Sequence, residues 1–436
     1  MRFPPLPEND FAEFIRVYYR ECRAHYPRIE AIAGKWMFRD LLPGLSDFDT
    51  RFILADPMSA DDWCALSEAV GEAHLYLCRK YPCWARNLEH LPGVNVAWSE
   101  LVSERTYYPE YQQWTFYACE QPERLAAALE ALAARPWDLK DEYFHLKRFC
   151  TFFGRYDRGI DPPINLGPHA VKYPLHSRLM HYFNPLAMAT VCLLERRHLA
   201  GKLDAFERAE LLFPGLRCWE MIWEILHAHY EIARYYEEPL LTHLEDTLEE
   251  AARAFAERLL ESSPLVPRAA GLDIRAWRAA LAEVPIDPAL VIFDNAKFAR
   301  LMKGRLLFYA RAPADFETEW LIRNELRRIG PNFFRVPFAT YWRLRTGEDV
   351  ADPAAILDRL HGDPLSADEI AATREFARLA SAPCASGQER SRAIEIAAVF
   401  DGFYHALHKI SQSLAVAGAV SADAQALALP AVADRG

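Results

Sequence analysis

At 436 residues, with 51% apolar and 25% charged side chains, the chain is longer than one ordinary core supports and has a globular composition, so two or three domains are expected. Its 50 basic and 61 acidic residues leave a formal charge of −11, which argues against a nucleic-acid groove as the main business of its surface. No apolar run approaches the ~20 residues needed to cross a bilayer, and the proline-rich opening MRFPPLPEN lacks the apolar stretch of a secretory leader. Nine cysteines, an odd number without CxxC spacing, read as reduced and mostly buried thiols, which makes the expected location cytoplasmic.

Asp10 to His25 has the apolar spacing of an amphipathic helix, with Phe11, Phe14, Ile15, Tyr18 and Tyr19 on one stripe and Asp10 as its N-cap. Pro27 separates it from a strand over Ile29 to Ala33, which ends at Gly34. A turn at Pro43-Gly44 then leads into a second strand that carries Ser46-Asp47-Phe48-Asp49 and continues to Leu54. Side chains in a strand repeat with period two, so Asp47 and Asp49 are expected on one side, roughly 6.5–7 Å apart, with Phe48 and Phe52 at positions that can pack into the core. Two neighbouring carboxylates repel, and a divalent cation removes the repulsion. Mg²⁺ takes one or two carboxylates and keeps its other positions for water and substrate phosphates. Arg39 and Arg51 are further candidate phosphate contacts, with exposed, solvated arginines as the ordinary alternative.

Ser59 with Asp61-Asp62 signals a helix start, and the helix from Trp63 to about Tyr81 is expected to cover the sheet. Val94 to Trp98 alternates like a strand after the Pro92-Gly93 turn, and Gln112 to Cys119 is a second β-rich run. Residues 1–122 therefore read as a small α/β unit. From Pro122 onward helical periodicity dominates, over Glu123 to Ala134, Asp141 to Phe153, Leu179 to His198, Ala205 to Glu261, and on to Leu414. Composition breaks place helical domains at residues 123–263 and 264–436. The irregular stretch Gly154 to Pro174 reads as a long loop or hinge. With the start of the next helix it gathers Arg155, Arg158, His169, Lys172, His176, Arg178 and His181, either as anion contacts or as a solvated basic rim. Lys297, Lys303, Arg305, Arg323, Arg327 and Arg328 either line a cleft or lie on helix surfaces.

Gly34 to Leu54 resembles the signature of the polymerase-beta-like nucleotidyltransferase superfamily, a Gly-Ser turn, a connection of about ten residues, then Ser-Asp-x-Asp and an apolar strand. The match covers Gly34, Ser46, Asp47, Asp49 and Phe52-Ile53-Leu54; it departs at Lys35, where the family usually has serine, and in a connection that is about one residue too long. The resemblance implies an α/β (α+β) nucleotidyltransferase-like N-terminal domain followed by a large, mainly α-helical region. It implies Mg²⁺ on Asp47 and Asp49, and an NTP held by Gly34, Lys35, Ser46, Arg39 and Arg51. The acceptor is expected to be a small molecule, since the acidic charge speaks against nucleic acid. Lys35 would replace the family serine as a point charge.

Family members commonly carry a third carboxylate on a later strand. If Val94-Asn95-Val96 is that strand, the position holds Asn95. A pattern similar to the bacterial aminoglycoside adenylyltransferases, through Tyr108-Pro109, places it at Gln113. Neither can act as a general base. Glu110 and Glu100 rank equal as replacements, Glu110 because it would begin the strand beside Asp49, and Glu104 ranks behind them. Three functions follow: a Mg²⁺-dependent nucleotidyltransferase, a nucleotide-binding protein on the same fold that has lost transfer, and a helical interaction protein in which the aspartates are incidental. No P-loop, dinucleotide glycine fingerprint, Gly-x-Ser-x-Gly elbow or zinc motif competes.

Overall fold

The computed structural model describes residues 11–41, 46, 48–84, 88, 91–154, 177–231, 238–313 and 318–417. Helix α1 (Phe11–His25) buries the predicted stripe of Phe11, Phe14, Ile15, Tyr18 and Tyr19. Four strands follow among the described residues: β1 (Ile29–Gly34), β2 (Thr50–Leu54), β3 (Val96–Ala97) and β4 (Thr115–Cys119). They form one mixed sheet in the order β3-β2-β1-β4, with β1 antiparallel to both β2 and β4 and β2 parallel to β3.

The period-two alternation sends the strand side chains to two different cores. Ile32, Phe52 and Leu54 pack with α1 and with α2 (Ala60–Lys80). Ala31, Ala33 and Ile53 face a second cluster with Trp98, Tyr111, Trp114, Ala128 and Leu132. That cluster is built from α3 (Trp98–Leu101), the 3₁₀ turn Pro109–Gln113 and α4 (Pro122–Ala133). Helix α2 starts at the predicted place: Asp62 N–H donates to Ser59 Oγ at 3.1 Å while Ser59 N–H donates back to Asp62 Oδ2 at 2.8 Å.

Two strand expectations need correction. The second strand begins at Thr50, so Asp49 precedes it rather than lying within it. Only the Asp49 carbonyl joins the ladder, accepting from Lys35 N–H at 3.2 Å. Asp47 lies outside the described residues, whereas Phe48 is buried beside Phe14 and Tyr117 as expected. Glu110 does not open a strand beside Asp49. Pro109, with its fixed φ, starts a 3₁₀ turn there, and the strand after it pairs with β1. Glu100 likewise belongs to α3.

The helical remainder begins with α5 (Leu139–Phe153), and a π-helical turn over Ser177–Phe183 leads into α6 (Asn184–Glu195). The stretch expected as continuous helix from Ala205 to Glu261 divides into α7 (Lys202–Leu212), α8 (Cys218–Glu231) and α9 (Glu238–Ser262). Then come α10 (Ile274–Ala282), α11 (Ala289–Ala299), α12 (Met302–Arg311), α13 (Glu319–Ile329), α14 (Val336–Thr346), α15 (Ala367–Ser381) and α16 (Glu389–Ala417). One apolar cluster runs from Phe11 to Ile410, continuous across residues 122 and 263. Helices α2 and α12 cross at two glycines: a Cβ on Gly71 would stand 3.0 Å from Gly304 Cα, and Gly304 N–H donates to Ser67 Oγ at 2.9 Å. Among the described residues no helix is long and apolar enough to cross a membrane, and Cys22, Cys78, Cys150, Cys192 and Cys218 are free, buried thiols.

Candidate anion site at the end of the sheet

Pairing of Gly34 with both Thr50 and Thr115 collects three chain segments at one end of the sheet. The first brings Lys35, the second Asp49 and Arg51, the third Glu110, Gln113 and Trp114. Glu110 is the hub. Its Oε2 lies 3.2 Å from Lys35 Nζ, and its Oε1 accepts from Arg51 Nη2 at 3.0 Å, Arg51 Nε at 3.3 Å and Trp114 Nε1 at 3.3 Å. Burial alone would raise the Glu110 carboxyl, but Lys35 and Arg51 outweigh it and hold it well below the usual carboxylate range. Burial pulls the Lys35 ammonium below its ordinary value, against the attraction of Glu110. Arg51 Nη1 also stands 3.9 Å from Asp49 Oδ1, so Asp49, Arg51, Glu110 and Lys35 form one chain of alternating charge.

Of the candidates from the sequence, Lys35, Asp49, Arg51 and Glu110 thus meet. Ser46 is buried just upstream. Gly34 stands at the meeting point for a different reason from the one expected. The space of its missing side chain is filled by the ring of Tyr117, whose Cε2 would be 2.5 Å from a Cβ there, and whose hydroxyl donates to Trp36 O. Arg39 is drawn onto α7, where it pairs with Asp204 and, at 3.4 Å, with Glu207. Glu100 is clamped by Arg300, whose Nη1 donates to Oε2 at 2.7 Å and whose Nη2 donates to Oε1 at 2.5 Å, while the guanidinium stacks 3.8 Å over Trp63. Glu104 is exposed and pairs with Arg135 at 3.4 Å.

Asn95 and Gln113 serve the backbone. Asn95 Oδ1 accepts from Phe52 N–H at 2.8 Å and its Nδ2 donates to Gly93 O at 2.8 Å, which fixes β3 beside β2. Gln113 Nε2 donates to Leu199 O at 3.1 Å. The basic residues of the third helical region also hold the fold together. Lys303 binds Asp401 at 2.6 Å, Arg305 binds Glu325 at 3.1 Å, and Lys297 donates to Thr106 O at 2.6 Å. Arg178 pairs with Glu245, whereas Arg155, Arg158, His169, Lys172 and His176 lie outside the described residues.

Beside the Lys35–Glu110 pair opens a cavity of about 630 Å³ between the 3₁₀ turn at Pro109, α5, α10 and α11. Its walls carry Tyr108, Phe144 and Phe298, with Phe144 and Phe298 edge-on to Tyr108 at 5.4 and 6.3 Å. Its charged lining includes Arg148 and the carboxylates of Glu110, Asp287 and Asp294. Lys140 and Lys147 add positive charge to the same lining. Burial pushes the Asp294 carboxyl up, and its closest cation, Lys297, is 3.6 Å away. Tyr107 also lines the cavity and donates to Asp141 Oδ1 at 3.0 Å; His198 Nε2 lies 3.1 Å from the same oxygen, and His198 Nδ1 lies 3.1 Å from His145 Nε2.

Sequence reasoning placed Asp141 to Phe153 on a helix but did not single out Arg148 or Asp294. One signal was present: Phe144, Arg148 and Phe152 recur every four residues, so a cation sits on an aromatic face. Nothing local distinguishes such a face from core packing until α10 and α11 are seen opposite it. In comparisons with known proteins, the chain matches no family model, no curated protein and no solved structure.

Proposed function

We propose that the chain is a Mg²⁺-dependent nucleotidyltransferase that moves an NMP group from an NTP to a small-molecule acceptor. The observation that carries this reading is the β1–β2 pairing. Gly34 and Lys35 end one strand exactly where Asp49 precedes the other, with Lys35 N–H on the Asp49 carbonyl, as the sequence resemblance implies for a phosphate turn beside an acidic pair.

Among the described residues no group of three His, Cys, Asp or Glu side chains is placed to hold a metal. Magnesium does not require one: Asp49 with Asp47 would meet its need for one or two carboxylates, water and phosphate oxygens completing the shell. Bound there, the ion would supply charge stabilisation on the transferring phosphoryl group. The chain's own contribution is electrostatic. Lys35 and Arg51 are held rigidly by Glu110, so their positive charge is oriented before any phosphate arrives, and an oriented charge costs little reorganisation.

A second reading, nucleotide binding without transfer, is favoured by one observation. Glu110 is occupied by two cations, Glu100 by Arg300, and Asn95 and Gln113 by backbone groups, so the positions considered for a base are all engaged. Mass spectrometry of the chain incubated with Mg²⁺, each NTP and candidate hydroxyl acceptors tests the first reading: an acceptor heavier by one NMP supports it. A thermal shift with NTP and Mg²⁺ but no product supports the second, and no shift with any NTP removes both.

A further inference from the structure

We propose that the cavity between the Pro109 turn, α5, α10 and α11 binds an organic anion with a flat apolar body, its anionic group on Arg148 and its ring against Tyr108, Phe144 and Phe298. The proposal goes beyond nucleotidyl transfer, since it requires only the cavity and not a reaction at Asp49.

Arg148 carries the argument. A guanidinium has five N–H donors in a planar fork. Among the described residues no ion pair or hydrogen bond reaches Arg148; its guanidinium carbon lies 6.0 Å from the ring of Phe152, and Glu110 attracts it only at longer range. Burial depresses its pKa, and the attraction of Glu110 does not make up for it. The neighbouring buried cations are each answered by a carboxylate: Arg51 by Glu110 at 3.0 Å, Arg300 by Glu100 at 2.5 Å, Lys297 by Asp294 at 3.6 Å. Glu110 itself is committed to Lys35 and Arg51. Arg148 is half-buried and lines the cavity, so an anion held there would supply acceptors for a guanidinium to which the described residues offer none.

The rest of the lining defines the ligand's body. Phe144 and Phe298 each stand edge-on to Tyr108 in the cavity wall, so a planar group there would find aromatic rings to stack on or meet edge to face. Phe298 is 41% exposed, and a bound ring would cover it. The volume of about 630 Å³ lies within the ordinary range for small-molecule sites. Asp294, with its carboxyl raised by burial and Oδ1 accepting no hydrogen bond, stands ready for a donor on the same ligand. Ring, anion and donor occur together in a nucleotide and equally in an aryl phosphate or aryl carboxylate acceptor. The shared chemistry is the prediction, and the probes below separate the sources.

The test is calorimetric titration of the full chain in magnesium-free buffer with AMP, phenyl phosphate, inorganic phosphate and phenol. At least one of the two ring phosphates binds about tenfold or more tightly than inorganic phosphate or phenol. AMP ahead of phenyl phosphate assigns the cavity to the nucleotide; the reverse assigns it to an acceptor. Arg148→Met weakens the better probe about tenfold or more, as loss of a charge-assisted contact does, and does not lower the ligand-free unfolding midpoint, because no ion pair or hydrogen bond among the described residues goes with it. Phe298→Ala, at an exposed position, weakens the same probe without lowering that midpoint by more than a degree or two. The proposal is overturned if neither ring phosphate binds, if Arg148→Met binds as wild type, or if Arg148→Met lowers the ligand-free midpoint, which makes Arg148 a structural cation. A chain that binds a ring phosphate but transfers nothing from any NTP loses the transfer reading and keeps this one. A chain that transfers but binds neither probe does the opposite.

Discussion

Arg51 donates to Glu110 through both Nη2 and Nε, at 3.0 and 3.3 Å, across 59 residues of chain. The pair joins the strand that follows Asp49 to the turn that precedes β4, and both side chains are about 6–7% exposed. A carboxylate read from the sequence as a possible base is therefore the counter-ion that permits two cations to be buried at the end of the sheet.

Glu110→Gln is expected to destabilise the fold by about 3–5 kcal/mol, because it leaves Arg51 and Lys35 buried with no carboxylate between them. Urea unfolding checks this. Replacing the ions together, as Arg51→Met with Glu110→Leu, recovers a large part of the loss. A Glu110→Gln protein of normal stability and reduced turnover would instead return Glu110 to the role of base.

Gly34→Ala is expected to cost about 1–3 kcal/mol through overpacking, because the new methyl meets the Tyr117 ring, which is stacked 4.7 Å from Phe38 and cannot withdraw freely. In a Tyr117→Ala background the same substitution should cost much less. Equal costs in the two backgrounds would mean that the glycine is required for a reason other than Tyr117.

Asp49→Asn tests the transfer reading with little disturbance to the fold. The side chain is 27% exposed and Arg51 Nη1 stands 3.9 Å from it, so the loss of stability should stay within about 1 kcal/mol. NMP transfer and the magnesium-dependent part of any NTP thermal shift should both disappear. Retention of that magnesium dependence would remove Asp49 from the metal site.

The pH dependence has a definite direction. Burial, with Arg300 adding to it, holds the His408 imidazole down at about 4. The unfolded chain takes up that proton near pH 6.5 and the folded chain resists it, so stability is complete above about pH 6.5 and falls as the pH drops toward 4. Glu110 and Glu100, both held below the usual range by their cations, contribute stability above about pH 4.5 that is lost at still lower pH. His408→Gln should reduce the slope of the unfolding midpoint between pH 6.5 and 4, burial of His145 supplying the remainder, and leave the steeper acid limb in place. An unchanged slope between those values would show that His408 is protonated in the folded protein.

What the sequence by itself determined is what depends on neighbours a few residues away. The stripe of α1, the helix start at Ser59 and Asp62 and the core positions of Phe48 and Phe52 arise from local geometry and occur where they were read, and the helical character after Pro122 does too, though 205–261 divides into three helices. The meeting of Lys35 and Asp49 was also nearly legible, because a glycine turn between two short strands brings the ends of those strands together. The tertiary structure alone decided which charges meet. Glu110 and Glu100 look alike in the sequence, yet Arg51 holds one from 59 residues away and Arg300 the other from 200. Arg148 reads as one more cation on a helix until α10 and α11 close a cavity beside it, whose carboxylate on α11, Asp294, is spent on Lys297. Coulomb pairing and desolvation act through space and ignore chain separation, so the partner that makes a buried charge structural, or leaves it for a ligand, is set by packing.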